Sequence, residues 1–140
     1  MDAKPYNNTF CDITWSKCTL RRWLNGQFME MAFNALEQAL IETSYLGNNA
    51  DPETKDRVFL LSIGEAKIFF SNDNDRKAKS TDYAIKKDAD TDDDSACWWL
   101  RSRGSYGNDA AIVCTDGSLY YNGFLVNISC SVRPAFRIAL

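Results

Sequence analysis

The sequence predicts an α+β fold, with short helices first and a twisted antiparallel sheet with long loops last. Patterns that typically open helices begin at Asn34 and Ser62, in the first half of the chain. Tight-turn dipeptides occur at residues 116–117 and 122–123, among short runs of strand-forming residues. The length of 140 residues suits one domain, which we expect to span residues 1–140.

The first predicted helix covers residues 17–28, with Ser16 as its N-cap. Its apolar residues recur at steps of three and four positions and therefore share one buried face: Leu20, Trp23, Leu24 and Phe28. Gly26 is expected to interrupt or end this helix. A second helix is expected to begin at Asn34, with Glu37 completing a capping box. It carries three apolar residues: Leu36, Leu40 and Ile41.

The middle of the chain is predicted to alternate between loops and short elements. Two polar stretches are expected to be loops: residues 47–56 and 72–80. Residues 58–61 form an apolar run suited to a buried strand. Ser62 and Glu65 then predict a capped helix that ends at Phe69, and residues 83–87 are expected to form one further helical turn.

The last third of the chain is predicted to supply the sheet. Three antiparallel strands are expected: residues 110–114, 118–121 and 131–138. Trp98, Trp99 and Leu100 precede them and are interpreted as core, because large aromatic side chains at the start of a strand usually pack. Arg101 and Arg133 are interpreted as structural arginines, whose planar guanidinium groups pair with backbone carbonyls or carboxylates.

Charge and hydropathy argue against two classes of partner. A net charge of -3 and a pI near 4.9 give no electrostatic footprint for nucleic acid, so no nucleic-acid partner is expected. No apolar run approaches the roughly eighteen residues of a membrane helix, and the N-terminus lacks the pattern of a signal peptide, so no membrane insertion is expected. We expect a soluble protein, cytoplasmic by default, with display on a virion or cell surface as the alternative.

Side-chain chemistry argues against catalysis, and we expect the protein not to be an enzyme. The sequence contains no His, the commonest general base and zinc ligand. Its five Cys show no metal-binding spacing and are expected to be reduced thiols. Five Asp fall within residues 88–94, but the sixth place from Asp88 is not Gly and Trp99 occupies the twelfth, so a solvated acidic loop is favoured over a calcium site. No cofactor or metal is expected.

Residues 102–131 have an unusual composition. They contain no Lys, Glu, Gln, Met or Trp, whereas the other 110 residues contain 22 of these five types. Strand and turn preferences explain part of this difference, since turns favour Asn, Gly and Ser while strands favour Tyr and Ile. The composition also resembles that of a binding face, because Tyr offers a large contact area with two side-chain torsions and Ser and Asn offer adaptable hydrogen bonds.

Several motifs together resemble a family of bacterial and phage domains of unknown function with the C-type-lectin fold. They are WWLRSRG from Trp98, AAIV, DGSLYYNG and VRPAF, preceded by TWSKCTLRRWLNGQFMEMAF and RVFLLSIGEAKIFF. The wider group includes formylglycine-generating enzymes and the variable proteins of diversity-generating retroelements. Members usually carry extra strands before the segment that matches residues 5–15, so the resemblance implies a trimmed or naturally short domain with an open sheet edge at residues 131–138. Such an edge recruits another copy, giving a homo-oligomer, or another protein.

The resemblance also implies an origin for the composition of residues 102–131. Retroelement diversification replaces adenines in a template rich in the asparagine codon AAC, and these replacements never produce the five absent residue types. The family pattern is heavily Asn at positions where this chain has residues that AAC can reach: Ser105, Tyr106, Asp109, Cys114, Thr115, Tyr120, Phe124, Leu125, Ile128 and Cys130. The ordinary bias of strands and turns stays open as the alternative explanation.

We therefore expect a non-catalytic recognition domain that binds a protein or cell-surface ligand through its C-terminal strands and loops. The expected contact residues all lie within residues 102–131: Arg103, Ser105, Tyr106, Asn108, Asp109, Ile112, Cys114, Tyr120, Asn122, Phe124, Leu125, Ile128 and Cys130.

Two alternative functions stay open. A relative of the formylglycine-generating enzymes would hold copper through Cys114 and Cys130, whose separation of sixteen residues departs from the close pair of that group. A calcium-dependent sugar-binding lectin is the other, although the sequence lacks the calcium-binding motifs of such lectins and only the fold supports it.

Overall fold

The computed structural model describes residues 2–48, 51–86, 91–92 and 95–140. A 3-10 turn at Trp15–Lys17 precedes helices α1 to α6, which are Thr19–Leu24, Gln27–Ala32, Ala35–Leu40, Ile63–Phe69, Asp73–Arg76 and Asp82–Lys86. Strands β1 to β11 are Asp2–Pro5, Ile41–Glu42, Ser44–Asn48, Asp51–Asp56, Thr91–Asp92, Ser95–Ala96, Trp98–Arg103, Asp109–Val113, Leu119–Leu125, Ser129–Val132 and Arg137–Ile138. This arrangement confirms the α+β class.

The main sheet brings the two ends of the chain together. Its strand order is β1-β10-β7-β8-β9, and neighbours are antiparallel except for β10 and β7, which are parallel. The prediction of a purely antiparallel sheet is therefore wrong at this pair. β1 pairs with β10 from Asp2, opposite Val132, to Pro5, opposite Ser129. The predicted open edge at residues 131–138 is also wrong, because β1 covers β10 and the edges of this sheet are β1 and β9.

A hairpin with polar inward-facing residues replaces the loop predicted at residues 47–56. Its strands β3 and β4 pair antiparallel. Thr54 and Asp56 are buried, and the Asp56 carboxylate accepts hydrogen bonds from Trp15 Nε1 at 2.9 Å and from Arg21 Nε at 2.7 Å. The loop prediction failed because the alternation of buried and exposed residues in β4 is carried by polar side chains, which leave no hydrophobic pattern.

The first predicted helix is divided into shorter pieces. The 3-10 turn is followed by α1 and α2, which are separated at Gly26, so the predicted interruption is confirmed. Ser16 is not the N-cap. Its hydroxyl donates to Asp51 Oδ1 at 2.6 Å, and the Cys18 sulfur instead accepts from the Arg21 amide at the start of α1. The Asp51 carboxylate of β4 thus accepts the hydrogen bond of the Ser16 hydroxyl, which the local sequence predicts as the cap of the helix.

The second predicted helix forms, but its own residues do not reach the core. Asn34 and Glu37 make both hydrogen bonds of a capping box at the start of α3, as predicted. Leu36 is 81% exposed and Leu40 is also exposed. Ile41 is buried but belongs to β2, which pairs with β11. The cap therefore fixes where the helix begins, while the buried apolar residue belongs to the strand that follows it.

Residues 58–61 are buried as predicted but do not form a regular strand. Their only described bridge joins Phe59 and Ala135. Next to it, the Asn25 side chain accepts from the Val58 amide at 3.1 Å and donates to the Val58 carbonyl at 2.8 Å. One side-chain amide thus supplies the hydrogen bonds that a neighbouring strand would otherwise provide.

The helices after this segment agree with the sequence in two cases out of three. Ser62 and Glu65 form the predicted capping box of α4. Helix α6, Asp82–Lys86, contains residues 83–86 of the predicted turn, and residue 87 lies outside the described residues. α5 lies within the loop predicted at residues 72–80, because the Asn72 side chain accepts from the Asp75 amide and caps one short turn.

The acidic run lies largely outside the described residues. Asp88, Asp90, Asp93 and Asp94 fall there, and Asp92 is described only as part of the backbone of β5, which pairs with β6. The solvated acidic loop therefore stays a prediction.

The predicted C-terminal strands exist with different bounds. Residues 110–114 and 118–121 correspond to β8 and β9, and β9 continues to Leu125. The strand predicted at residues 131–138 is two strands, β10 and β11, which belong to different sheets. Pro134 lies between them and has no amide hydrogen with which to continue a ladder.

One of the two turn dipeptides is a turn and the other is not. Residues 116–117 connect β8 to β9, with Gly117 at a φ of 85°, so this turn is confirmed. Residues 122–123 lie inside β9, where Gly123 has a φ of 77° and the pairing register with β8 shifts next to Ala110. The turn predicted there is wrong. The glycine instead permits a bulge, which demands the same positive φ.

Tryptophan side chains form the centre of the core. Trp15, Trp98 and Trp99 are fully buried, and Leu100 is buried beside them, which confirms the predicted core role of residues 98–100. Trp99 Nε1 donates to the carbonyl of Lys4 at 2.8 Å and so joins β7 to β1 across the intervening strand β10. No helix among the described residues is long and apolar enough to cross a membrane.

Both predicted structural arginines have that role. Arg101 donates to the carbonyl of Leu60 at 3.0 Å and forms an ion pair with Glu65. Arg133 donates to the carbonyl of Arg76 at 3.1 Å, and its guanidinium lies 4.9 Å from the Trp98 ring centroid. Each guanidinium therefore joins a strand of the main sheet to a segment outside it.

Candidate functional site

An open cleft of about 900 Å³ lies beside β8 and β9. It is lined by residues from β8, β9, the loop that joins β7 to β8, the loop that joins β9 to β10, and the segment between β1 and the 3-10 turn: Asp12, Ser105, Tyr106, Gly107, Asn108, Asp109, Tyr120, Asn122, Gly123, Phe124, Leu125 and Ile128. Nine of the thirteen predicted contact residues are among them: Ser105, Tyr106, Asn108, Asp109, Tyr120, Asn122, Phe124, Leu125 and Ile128. The structure thus brings most of the predicted site into one concave surface, called the cleft below.

Backbone contacts fix the loop that forms one wall of the cleft. The Gly104 amide donates to the carbonyl of Asp109 at 2.9 Å, and the Ser105 amide donates to the carbonyl of Asn122 at 3.0 Å. Ser105 Oγ also donates to Asn122 Oδ1 at 2.6 Å. A Cβ at Gly104 would lie 2.2 Å from the Asn122 carbonyl oxygen, so only glycine allows the loop to approach β9 this closely. The loop is therefore held at both its start and its end.

Three aromatic side chains supply the apolar surface of the cleft. Tyr106 is 74% exposed and Tyr120 is also exposed, whereas Phe124 is partly buried. The Phe124 ring packs edge to face on Trp99, with centroids 6.5 Å apart, and on Tyr120, with centroids 6.4 Å apart. Phe124 therefore connects the cleft to the core, while the rings of the two tyrosines are exposed at the surface of the cleft.

The charged side chains that line the cleft are both acidic. Asp109 is 9% exposed, and no described group forms a hydrogen bond or ion pair with its carboxylate. Asp12 is the other, and sequence reasoning missed it because it lies in a short segment far from residues 102–131. A Cβ at Gly107 would lie 2.6 Å from the Asp12 Cγ, so this carboxylate lies directly against the loop wall.

Four predicted contact residues lie outside the cleft. Ile112 and Cys130 are fully buried, so they belong to the core and are out of reach of a bound ligand. Composition alone does not distinguish them from exposed residues, because the pairing of the strands decides which side chains point into the core. Cys114 is half-buried just after β8. Arg103 is exposed at the end of β7 and lines a second hollow.

The second hollow, of about 400 Å³, lies near Arg101 and Asp51. Both charges already have protein partners: Asp51 accepts from the Ser16 amide at 2.8 Å, and Arg101 Nη2 donates to Glu65 Oε1 at 3.0 Å. Burial raises the pKa of Glu65, but hydrogen bonds from Arg101 and Ser62 outweigh it and lower the pKa below its ordinary value. The pair is therefore ionised at neutral pH and stabilises the wall of this hollow.

The thiols of the chain form no disulfide among the described residues, which include all five cysteines. Cys114 follows β8 and Cys130 lies in β10, so β7 separates their strands in the sheet. Within the described part of the chain, no group of three or more Cys, Asp or Glu side chains is placed to hold a metal ion.

Comparison with known proteins gives one match. The family model described as Domain of unknown function (DUF6273) matches residues 1–140, so the chain belongs to this family. No curated protein and no solved structure matches the chain significantly.

Proposed function

We propose that this member of the DUF6273 family is a non-catalytic recognition domain that binds a macromolecular partner through the cleft. The observation that carries the proposal is the convergence of nine predicted contact residues on one open concave surface. Tyr106 and Tyr120 offer exposed aromatic area next to the polar groups of Ser105 and Asn122. Exposed aromatic residues surrounded by adaptable hydrogen-bonding groups are typical of binding faces that recognise proteins.

The rigidity of the loop wall supports binding as well. Its backbone is fixed on β9 at Ser105, and Phe124 connects β9 to the core. A binding surface that is already ordered loses less conformational entropy when a partner docks. The wall of the cleft is therefore already ordered before a partner binds.

Peptide selection tests this proposal. A random peptide library is selected on the wild-type protein, and each recovered peptide is measured against the double variant Tyr106→Ser/Tyr120→Ser. The matched control is Tyr45→Ser, which removes an exposed tyrosine on β3, away from the cleft. We expect affinity to fall about tenfold or more in the double variant and to stay unchanged in the control. Equal affinity for the double variant and the wild type would rule out the cleft as the binding surface.

The finer part of the proposal is that the chain has a C-type-lectin-like fold and is a variable protein of a diversity-generating retroelement. In that fold the first and last strands pair, and here β1 pairs with β10 of the main sheet. Seven residues that the AAC codon can reach line the cleft: Ser105, Tyr106, Asp109, Tyr120, Phe124, Leu125 and Ile128. Diversification of these positions would vary the binding surface while the aromatic core stays constant.

The gene and its neighbourhood test the retroelement origin. We expect a reverse-transcriptase gene nearby and a near-copy of the coding segment for residues 102–131, with AAC codons where the two copies differ. A gene without such a template copy would overturn the origin but not the binding role of the cleft, because peptide selection measures binding independently.

A further inference from the structure

We propose that the cleft binds a positively charged organic group, the ammonium of a lysine or the guanidinium of an arginine, carried by the partner. This inference rests on the proposed function and specifies the chemistry of the ligand. The residues that carry it are Asp109, Asp12 and the aromatic side chains around them.

Asp109 is the central observation. About nine-tenths of the surface of Asp109 is buried, and the residue lines the cleft. No described hydrogen-bond donor contacts its carboxylate. Unlike the Ser131 hydroxyl, which is fully enclosed without a described partner, the Asp109 carboxylate keeps access to the solvent of the cleft, so a ligand that enters the cleft can reach it. Other buried carboxylates of this protein are satisfied internally, such as Asp56 by Trp15 and Arg21. A cation supplied by a partner would give the Asp109 carboxylate a hydrogen-bonded positive charge, as Arg21 does for the Asp56 carboxylate within the chain.

Asp12 adds a second negative charge to the same cleft. Its carboxylate lies against Gly107, where any larger residue would collide with it. No Lys or Arg is found among the described residues that line the cleft. The electrostatic potential inside the cleft is therefore negative, which attracts a cation and disfavours an anionic ligand.

The aromatic side chains of the cleft also lack a cation of their own. Elsewhere on the surface, tyrosines are paired within the chain: Lys55 Nζ lies 5.3 Å from the Tyr45 ring centroid, and Lys67 Nζ lies 5.1 Å from that of Tyr121. Among the described residues, no such cation lies over Tyr106 or Tyr120. Their rings are therefore available to a cation on the partner, which a ring face attracts within about 6 Å.

An organic cation fits these groups better than a metal ion does. Divalent ions in proteins require several oxygen ligands from carboxylates or carbonyls. The cleft offers two carboxylates, and no cluster of three metal-ligating side chains occurs in the described part of the chain. Aromatic faces attract both an ammonium, which is a compact point charge, and a guanidinium, which is planar and weakly hydrated, and this favours an organic cation over a metal ion.

The test uses small probes and the whole protein. Nα-acetyl-lysine methylamide, Nα-acetyl-arginine methylamide and the neutral Nα-acetyl-norleucine methylamide are titrated into ¹⁵N-labelled protein to roughly tens of millimolar, since single residues bind weakly. We expect saturable shifts of the Gly107 and Asp109 amides with one or both cationic probes and none with norleucine. Calcium and magnesium chloride form separate arms.

Variants that each remove one carboxylate test which residue of the cleft binds the cation. Asp109→Asn is expected to weaken the cationic probe about tenfold or more, and Asp12→Asn to weaken it less. Glu53→Gln is the matched control, because it removes one exposed carboxylate from β4 outside the cleft. Asp109→Asn should also melt near the temperature of the wild type, since no described group pairs with its carboxylate. A structural ion pair would instead make this variant less stable.

Several outcomes would overturn the inference. They are absence of shifts with both cationic probes, equal shifts with norleucine, unchanged probe affinity in Asp109→Asn, or saturation by calcium or magnesium that displaces the cationic probes. If peptides selected on the cleft bind equally well when their Lys and Arg residues are replaced by norleucine, the proposed function stands and the cationic ligand is wrong.

Discussion

Arg101 forms a two-pronged ion pair with Glu65 that joins β7 to the first turn of α4. Nη2 donates to Glu65 Oε1 at 3.0 Å and Nη1 donates to Oε2. The same carboxylate accepts from the Ser62 amide at 2.9 Å and completes the capping box. One side chain thus serves a helix cap, which the sequence predicts, and a sheet-to-helix contact, which it does not.

Replacement of the cation should destabilise the protein strongly. In Arg101→Met, the Glu65 carboxylate loses its partner, as do the carbonyls of Leu60 and Gly47 that Arg101 contacts. We expect the free energy of unfolding to fall by about 3 kcal/mol, the usual cost of removing one partner of a buried pair. Arg103→Met is the control, because Arg103 is exposed two residues further along β7. Urea denaturation of both variants measures the difference, and equal losses would contradict the structural role of the pair.

Low pH should weaken the contribution of the Arg101–Glu65 ion pair to the free energy of unfolding. The pKa of Glu65 is raised by burial but lowered more by its hydrogen bonds to Arg101 and Ser62, so it lies below its ordinary value of 4.5. A carboxylate with a depressed pKa in the folded state contributes stability that is fully present above its unfolded pKa and is lost as the pH falls through the folded pKa. We therefore expect the stability difference between wild type and Glu65→Gln to shrink below about pH 4.5.

Denaturation of both proteins at several acidic pH values measures this effect. Glu53→Gln again serves as the control, because it removes an exposed carboxylate of β4 that has no described partner. A difference for Glu65→Gln that does not change with pH would show that the carboxylate is not held ionised by Arg101.

The cysteines should differ sharply in reactivity. Burial raises the pKa of Cys18 to about 12, which leaves almost no thiolate at neutral pH, and its sulfur also caps α1. Cys11 and Cys114 are half-buried, whereas Cys97 and Cys130 are buried like Cys18. Alkylation of the native protein with iodoacetamide, followed by peptide mass mapping, should therefore modify Cys11 and Cys114 first. The unfolded protein should be modified at all five positions, and early modification of native Cys18 would contradict its burial.

The sequence predicts correctly those features that depend on contacts between residues close together in the chain. The capping boxes at Asn34 and Ser62 form because both hydrogen bonds join residues three positions apart. The buried run at residues 58–61 was also recognised, since four apolar residues in succession rarely face solvent. The prediction failed at Ser16, because a carboxylate distant in sequence, that of Asp51, takes the predicted capping hydroxyl.

Long-range features of the site were only partly accessible from the sequence. Composition located most of the cleft, because residues that contact ligands share a preference for Tyr, Ser and Asn. It could not separate the inward-facing Ile112 from its exposed neighbours on β9, since pairing and register decide that. It also missed Asp12, which reaches the cleft only because the segment before the 3-10 turn crosses the β7–β8 loop, where the Ile13 amide donates to the Gly107 carbonyl.

Gly123 offers a test of the bulge that shapes the cleft. It combines a φ of 77° with close packing, since a Cβ there would lie 2.1 Å from the Ala110 carbonyl oxygen. Gly123→Ala should therefore lower the free energy of unfolding by at least about 2 kcal/mol, because the left-handed conformation is costly for Ala and the bulge must also open. Gly47→Ala is the matched control: Gly47 lies in a strand with no atom within 4 Å of its added Cβ, and its substitution should change stability by less than about 1 kcal/mol.

The position of Gly123 also links this stability effect to binding. Its bulge lies between Tyr120 and Phe124 on the strand that lines the cleft. Relief of the collision would require β9 to move away from β8, which would shift both aromatic side chains. We therefore expect Gly123→Ala to lose affinity for peptides selected on the cleft even at temperatures where it remains folded by circular dichroism, whereas Gly47→Ala keeps wild-type affinity. Full binding by folded Gly123→Ala would show that the shape of the cleft does not depend on the bulge.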